Sequence, residues 1–112
     1  MKRIECIIRP MKLDQVKIAL GEIGVSGMTI CDVRGCGRHG GQRESFRGAE
    51  YTIDLPHKVK IEMIARDEDV DEIIETVLSH AQTGERGDGK IFVMPMEEAV
   101  RIRTGESGDE VL

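Results

Sequence analysis

The chain has 112 residues, of which 39% are hydrophobic and 33% charged, and a formal net charge of −5 at pH 7. This length suits a single domain, and the composition is typical of a soluble globular protein. The acidic charge and the few aromatic residues (two Phe and one Tyr) argue against nucleic-acid binding, which needs a basic face and stacking platforms. No apolar run approaches the roughly 20 residues of a spanning helix, and no signal peptide is evident. Three cysteines, an odd count, suggest reduced thiols and a cytoplasmic location.

The first third of the chain predicts a strand, a helix and a second strand. Residues 3–8 alternate and are rich in Ile, which indicates a buried strand that Pro10 ends. The apolar period then becomes helical, with Leu13, Val16, Leu20 and Ile23 on one face. Gly24 is placed to end this helix in the left-handed conformation. Residues 28–34 are again β-branched and apolar, and they predict the second strand.

A segment of about twenty residues, 35–55, follows and shows neither a helical period nor sustained apolar alternation. A hairpin between the flanking strands would need only about two to five residues. The excess length favours a functional loop, because long loops on rigid scaffolds commonly carry binding. A tolerated, disordered insertion is the alternative, since the entropy of loop closure grows slowly with length.

The remainder of the chain predicts a strand, a helix, a strand and a polar tail. Val59, Ile61 and Met63 alternate with charged residues in the third strand. Asp67 or Asp69 can cap the next helix. The apolar stripe of that helix comprises Val70, Ile73, Ile74, Val77, Leu78 and Ala81. Residues 90–94 form the fourth predicted strand, and a polar tail spans about residues 97–112.

This order predicts an α+β fold, a ferredoxin-like βαββαβ sandwich in one domain, 1–112, with a long flexible loop between strands 2 and 3 at about residues 37–55. Two helices can cover only one face of a four-stranded antiparallel sheet. We therefore expect self-association to bury the other face.

One candidate anion site lies between the second helix and the fourth strand. The glycines of Gly87-Asp88-Gly89-Lys90 allow backbone N–H groups to point together at an anion, and the lysine adds a cation. The segment does not match the phosphate-loop pattern, because a strand rather than a helix follows it. A tight turn that needs glycine for its conformation is an equally good explanation.

A second group of cations lies near the C-terminus. If that segment is extended, Arg101 and Arg103 share one side and can grip phosphate in a bidentate way, and Arg38 in the long loop could join them. A solvated charged tail is the alternative. Cys36 and His39 form a lone C-x-x-H pair, which is a weak indication of a metal site. No nucleophile–base–orienter set is evident, so the residues do not support a catalytic site.

Four stretches carry a resemblance to a known family: IIRPMKLDQVKIAL near the start, FRGAEY in the long loop, TGERGDGKIFV before the fourth strand and EEAVRIRTGE near the end. Over essentially its whole length the chain resembles the PII nitrogen-regulatory signal-transduction proteins. The resemblance implies a homotrimer with nucleotide sites in the clefts between subunits, which bind ATP or ADP. By match to the family's motifs, the residues around the nucleotide would be Ile7, Thr29, Gly35, Gly37, Arg38, Glu62, Ile64, Gly87, Asp88, Gly89, Lys90, Arg101 and Arg103.

The resemblance also implies that 2-oxoglutarate binds at the root of the long loop, called the T-loop, when ATP and Mg²⁺ are bound. Lys58 would pair with the distal carboxylate of this effector, and backbone donors near Gly41 and Gly87 would help to hold it. His39 stands where the family usually has Gln, close to the Mg²⁺ and the effector. A neutral imidazole still offers one acceptor or metal ligand. An adenylate-only sensor is the alternative.

At the T-loop tip, Tyr51 matches a tyrosine that many bacterial members expose for uridylylation. The resemblance implies partner contacts by Arg47, Phe46 and Glu50, and it implies a non-catalytic sensor. The partner would be an ammonium transporter, a uridylyltransferase or a nitrogen-assimilation enzyme or regulator. A membrane would be reached only through such a partner, and no nucleic acid is expected. A weak nucleotide hydrolase that uses the same cleft is the alternative.

Overall fold

The computed structural model describes residues 1–35, 42–46, 49–53 and 55–112, and between residues 42 and 53 it describes the backbone alone. The strands and helices are β1 (Lys2–Ile8), α1 (Leu13–Glu22), β2 (Thr29–Arg34), β3 (Gln42–Phe46), β4 (Ala49–Ile53), β5 (His57–Ala65), α2 (Val70–Ala81) and β6 (Lys90–Pro95). Short 3₁₀ turns precede both helices, and a third lies at Gly108–Val111.

Four strands form an antiparallel sheet in the order β2-β5-β1-β6. This order, with one helix after β1 and one after β5, confirms the predicted ferredoxin-like α+β fold. The β2, β5, β1 and β6 strands coincide with the four predicted strands to within a few residues. Among the described residues, none of the helices has the length and apolar composition that a bilayer crossing requires.

Alternate residues of the two central strands supply most of the core. The buried positions of β1 and β5 are Ile4, Cys6, Ile8, Val59, Ile61, Met63 and Ala65. Each helix packs a narrow stripe against them, comprising Val16, Ala19 and Leu20 of α1 and Ile73, Val77 and Ala81 of α2. The predicted stripe of α2 was too wide, because Leu78 lies at its margin and is 47% exposed.

Neither aspartate before α2 caps it with a side-chain hydrogen bond, contrary to prediction. The chain enters α2 through a 3₁₀ turn, so Asp69 already has near-helical dihedral angles, whereas a capping residue has an extended backbone. The carboxylate of Asp67 lies 3.1 Å from the N-terminal ammonium group of Met1 instead. At the end of α1, Gly24 has φ +96°, which confirms the predicted left-handed termination.

Between β2 and β5, the T-loop contains a two-stranded antiparallel hairpin, in which Gln42 lies opposite Ile53 and Phe46 opposite Ala49. These two strands were not predicted, because the segment lacks the apolar alternation that marks strands with one face packed on a core. β3 and β4 pair with each other and not with the main sheet, so no such alternation is required of them.

On the sheet face opposite the helices, charged and apolar side chains alternate. Arg3 lies 3.2 Å from a carboxylate oxygen of Glu5 and 2.8 Å from one of Glu62, and Lys60 lies 3.1 Å from the same oxygen of Glu62. The strand register places Ile7, Ile64, Phe92 and Met94 beside this network. No described helix covers this face, and its burial by self-association remains a prediction.

Candidate functional site

The segment 83–89, here called the glycine turn, joins α2 to β6 and lies against the end of β1. Ile7 of β1 pairs with Lys90, the first residue of β6. Gly89 has φ +99°, and a Cβ atom there would overlap the carbonyl oxygen of Ile7. Glycine is therefore required for the turn to approach the strand this closely. The predicted site residues of β1, the glycine turn and β6 thus meet at one corner of the sheet.

The Asp88 carboxylate is the centre of the glycine turn. Its two oxygens accept hydrogen bonds from the backbone N–H groups of Thr83 (2.8 Å) and Gly84 (2.9 Å), from the Thr83 hydroxyl (2.5 Å) and from Nε of Arg9 (3.0 Å). Burial by itself would raise the pKa of Asp88, but these hydrogen bonds outweigh it and hold the pKa well below its usual range. The side chain of Asp88 is thus engaged within the chain, which leaves its backbone N–H group as the part that can contact a ligand.

Two cationic side chains donate hydrogen bonds to carbonyl groups of the glycine turn. Arg9 donates from Nη2 to the carbonyl oxygen of Arg86 at 2.6 Å, and Lys58 donates from Nζ to that of Gly87 at 2.6 Å. Lys58 is 8% exposed, and burial followed by the neighbouring charge of Arg9 lowers its pKa. Arg9 was not among the predicted site residues, although its place directly after a buried strand, at the edge that carries the glycine turn, was an available indication.

These carbonyl contacts decide where the N–H groups of the turn point. All peptide bonds described are trans, and in a trans peptide the N–H points away from the C=O. Since the carbonyls of Arg86 and Gly87 face cations, the N–H groups of Gly87 and Asp88 face the opposite side. Within the described part of the chain, no hydrogen bond is donated by the backbone N–H of Gly87, Asp88 or Gly89. Successive unpaired N–H groups beside a lysine are the components of an anion-binding nest.

A second group of predicted site residues lies at the other end of β5. Thr29 pairs with Glu62 across the β2–β5 ladder, and both line a cavity of about 710 Å³ together with Ile64 and Arg101. Arg3 and Lys60 both contact the same carboxylate oxygen of Glu62. These contacts lower the pKa of Glu62, chiefly through the hydrogen bond from Lys60 and then the one from Arg3, so that the carboxylate is an acceptor at neutral pH.

The C-terminal segment is not extended, so the condition under which Arg101 and Arg103 would share one side is not met. Gly105, with φ +74°, lets the chain reverse, so that its N–H bonds to the carbonyl of Arg101 and the N–H of Arg101 bonds to the carbonyl of Glu106. Arg101 also contacts Glu106 through its side chain at 3.2 Å. Arg101 and Arg103 are therefore not successive outward residues of one strand. Arg101 lines the cavity, whereas Arg103 is exposed.

The two groups of residues lie apart within one chain. Lys58 and Glu62 are four positions apart on β5, which corresponds to roughly 13 Å at about 3.3 Å per residue. Gly35 lies at the same sheet end as Lys58, where its N–H bonds to the carbonyl of Pro56 at 3.2 Å and closes the base of the T-loop. One subunit thus presents a nest at one end of the sheet and a cavity at the other.

Several predicted site residues lie outside the described residues, namely Cys36, Gly37, Arg38, His39, Gly41 and Arg47. Phe46, Glu50 and Tyr51 are described by their backbone alone, on the hairpin strands. In the part of the chain that is described, no group of three His, Cys, Asp or Glu side chains could hold a metal ion. The proposed Mg²⁺ contact of His39 therefore stays a prediction.

Known proteins resemble this chain along its full length. The family model described as "Nitrogen regulatory protein P-II" matches residues 1–106. A protein of that name from Haemophilus influenzae is 54% identical over 112 residues, and one from Microchaete diplosiphon is 52% identical over 112, with all of both chains covered. "Nitrogen regulatory protein P-II 2" from Methanothermobacter thermautotrophicus is 55% identical over 112 residues, covering all of this chain and 97% of that protein. The chain, with its ferredoxin-like sheet and glycine turn, therefore belongs to the nitrogen regulatory protein P-II family.

Proposed function

We propose that this protein is a non-catalytic nitrogen-signalling protein that binds ATP or ADP in clefts between the subunits of a homotrimer. Bound nucleotide and 2-oxoglutarate would select among T-loop conformations, and each conformation would suit different partners. Membership of the P-II family supports the role in nitrogen regulation. The partner would be an ammonium transporter, a uridylyltransferase or a nitrogen-assimilation enzyme or regulator.

The observation that carries the nucleotide proposal is the glycine turn. Three backbone N–H groups that no described residue pairs lie beside Lys90, and the Asp88 carboxylate that could repel an anion is neutralised by Arg9. Backbone donors and a lysine suit the oxygens of a polyphosphate. The cavity at the far end of the sheet has apolar and hydrogen-bonding residues, which suit a base and ribose.

The separation of these two groups supports a site between subunits. With roughly 13 Å between Lys58 and Glu62, one chain holds the nest and the cavity at opposite ends of one strand. A second subunit, packed with its sheet rotated against the first, can place its cavity next to the nest of its neighbour. Ile7, which pairs with Lys90, would then contact the nucleotide from the side of the nest.

We place the 2-oxoglutarate site beside Arg9 and Lys58. The two cations lie close enough together for the charge of Arg9 to lower the pKa of Lys58, and both face the glycine turn at the base of the T-loop. A dicarboxylate bound there would contact the two cations on one side. Mg²⁺, ATP, His39 and Gly41 would form the rest of the site. Because His39 stands where the family usually has Gln, the effector response is tested separately from nucleotide binding.

Calorimetric titration with ATP tests the nucleotide site. We expect ATP to bind, and Lys90→Gln to weaken binding about tenfold, because a hydrogen bond to a charged group is worth about 1.5–3 kcal/mol. Lys17→Gln removes an equal charge from the outer surface of α1 and is the control. Absence of ATP binding to the unmodified protein would disprove the proposal.

A second titration tests the effector. We expect 2-oxoglutarate to bind only when both ATP and Mg²⁺ are present, and Lys58→Met to abolish that binding while ATP still binds. If the unmodified protein binds ATP but gives no heat with 2-oxoglutarate, it is an adenylate sensor. Recovery of the response by His39→Gln would then assign the loss to that residue. Steady phosphate release from ATP at a rate that Lys90→Gln abolishes would instead favour the hydrolase.

A further inference from the structure

The Arg9 side chain joins the end of β1 to the glycine turn, 79 positions away in sequence. Its planar guanidinium group donates from Nε to Asp88 and from Nη2 to the carbonyl of Arg86. Because the donors of a guanidinium group have a fixed geometry, two bonds from one group fix both the position and the orientation of their acceptors. Arg9 therefore holds the turn at two points.

The Asp88 side chain also stabilises the glycine turn, by hydrogen bonds from the backbone of the turn itself. Its carboxylate accepts hydrogen bonds from the backbone N–H groups of Thr83 and Gly84, at the start of the turn, and from Arg9 on the other side. The turn is thus closed through one ionised side chain that binds its own backbone. Every hydrogen bond that the described residues give this carboxylate comes from the turn or from Arg9.

A carboxylate repels a polyphosphate, so an aspartate in an anion site would ordinarily weaken binding. The ion pair with Arg9 cancels the charge of the Asp88 carboxylate and removes this repulsion. A second bond from Arg9 keeps the carbonyl of Arg86 turned toward this cation, as Lys58 does for the carbonyl of Gly87, and the N–H groups of Gly87 and Asp88 therefore point away from the two cations.

We propose that Arg9 and Asp88 are positioning residues, which hold the glycine turn in the conformation that presents the N–H groups of Gly87, Asp88 and Gly89 to the phosphates. The proposal rests on the proposed nucleotide-binding function and assigns these side chains a role other than contact with the nucleotide. It is the pre-organised arrangement of donors, fixed before the ligand arrives, that gives such a site its affinity.

The direction in which one substitution changes the affinity for ATP distinguishes a positioning role from simple electrostatic repulsion. Asp88→Asn removes a negative charge beside the phosphates, which by electrostatics alone would strengthen ATP binding. It also replaces one of the two accepting oxygens by an amide NH₂ donor, which must face either the backbone N–H groups of Thr83 and Gly84 or Nε of Arg9. All of these groups are donors, so at least one contact that holds the turn is lost. We expect Asp88→Asn to weaken ATP binding at least about tenfold. Glu85→Gln is the matched control, since Glu85 is an exposed acid of the same turn whose carboxylate makes no described contact, and it should leave ATP binding equal or slightly tighter.

Adenosine shows whether the weakening belongs to the phosphates. Adenosine lacks the groups that the turn would bind, so Asp88→Asn and Arg9→Gln should leave its affinity within about twofold. Arg86→Gln, which removes a cationic side chain from the same turn, controls for the charge that Arg9→Gln removes. The double variant of Arg9 and Asp88 should bind ATP about as weakly as either single variant, because both act on one structure.

A measurement without nucleotide separates the turn-holding role of the two side chains from the proposed function. Amide order parameters from NMR relaxation should fall at residues 83–89 in Asp88→Asn and Arg9→Gln, but not in Glu85→Gln or at core residues. Unchanged order parameters, or tighter ATP binding by Asp88→Asn, would overturn the inference. Equal weakening of ATP and adenosine binding would also overturn it, because it would indicate general damage to the fold. If the unmodified protein fails to bind ATP while the order parameters fall as expected, the proposed function fails and the turn-holding role stands.

Discussion

At Gly89 the chain has no room for a side chain, because a Cβ atom would overlap the carbonyl oxygen of Ile7 on the neighbouring strand. Gly84 lies in the same turn and also has a positive φ, +87°, but nothing lies near the position of its Cβ atom. The two glycines therefore separate the cost of backbone conformation from the cost of close approach.

We expect Gly89→Ala to lower the free energy of unfolding by at least about 2 kcal/mol more than Gly84→Ala does. A positive φ alone costs an alanine about 1–2 kcal/mol, and at Gly89 the backbone must also move away from β1. Urea denaturation monitored by circular dichroism would measure the difference. An equal decrease for the two variants would show that the turn can withdraw from Ile7 without cost.

The ionised Asp88 carboxylate should also make stability depend on pH. Its pKa in the folded state is held below its usual range, so it contributes stability that is present above the pKa of an unfolded aspartate, about 3.9, and is lost as the pH falls below that value. Asp88→Asn should therefore lower stability at pH 7 and flatten its decline between about pH 4 and pH 2. Denaturation midpoints across this interval would show it, and a decline as steep as that of the unmodified protein would contradict it.

At the scale of elements, the apolar period predicts both helices correctly but not the width of the stripe that is buried. It assigns Leu78 to the buried stripe of α2, although this side chain lies at the margin of the stripe. Periodicity gives the direction of an apolar face, whereas the width that becomes buried depends on the neighbouring helix and strands.

A pair of leucines tests the helix packing. Leu20 of α1 is completely buried, and Leu78 of α2 is half exposed. We expect Leu20→Ala to lower the free energy of unfolding by about 2–5 kcal/mol and Leu78→Ala by about 1 kcal/mol or less, since the cost rises with the buried apolar area that the substitution deletes. Chemical denaturation of both variants measures this. If Leu78→Ala proves as costly as Leu20→Ala, then the exposed side of α2 is covered in the assembled protein.

At the scale of the whole molecule, the uncovered sheet face is the feature that a single chain leaves unexplained. Phe92 lies on that face beside Glu5, and it is 45% exposed. The ion pairs formed by Arg3, Glu5, Lys60 and Glu62 satisfy the charges of these four side chains among themselves. This part of the face can be buried against further copies without leaving these charges unpaired.

We expect the protein to sediment as three copies of the 12.5 kDa chain. Phe92→Glu should shift it to smaller species, because an unpaired carboxylate would be buried in the interface. Ile18→Glu, on the outer side of α1, adds the same charge at an exposed apolar residue and should leave the mass unchanged. Analytical ultracentrifugation measures both variants. A single-chain mass for the unmodified protein would contradict the trimer.

The sequence by itself determined the family and the order of the two helices and the four strands of the main sheet, but not the hairpin of the T-loop. Alternation in β1 and β5 and the helical period of α1 and α2 are local patterns, which follow from which face of an element is buried. The glycines of the turn could also be recognised from the sequence, because the ability to adopt a positive φ is a property of glycine itself.

Tertiary structure decided the contacts between residues distant in sequence. That Arg9 holds Asp88, and that the Asp88 carboxylate faces its own turn, could not be predicted, because the partners lie 79 positions apart and no local pattern links them. The reversal at Gly105, which directs Arg101 toward Glu106, was likewise missed, since alternating charges suit an extended segment equally well. A side chain's reach and the direction of a peptide plane depend on how the elements pack, and packing is a property of the whole chain.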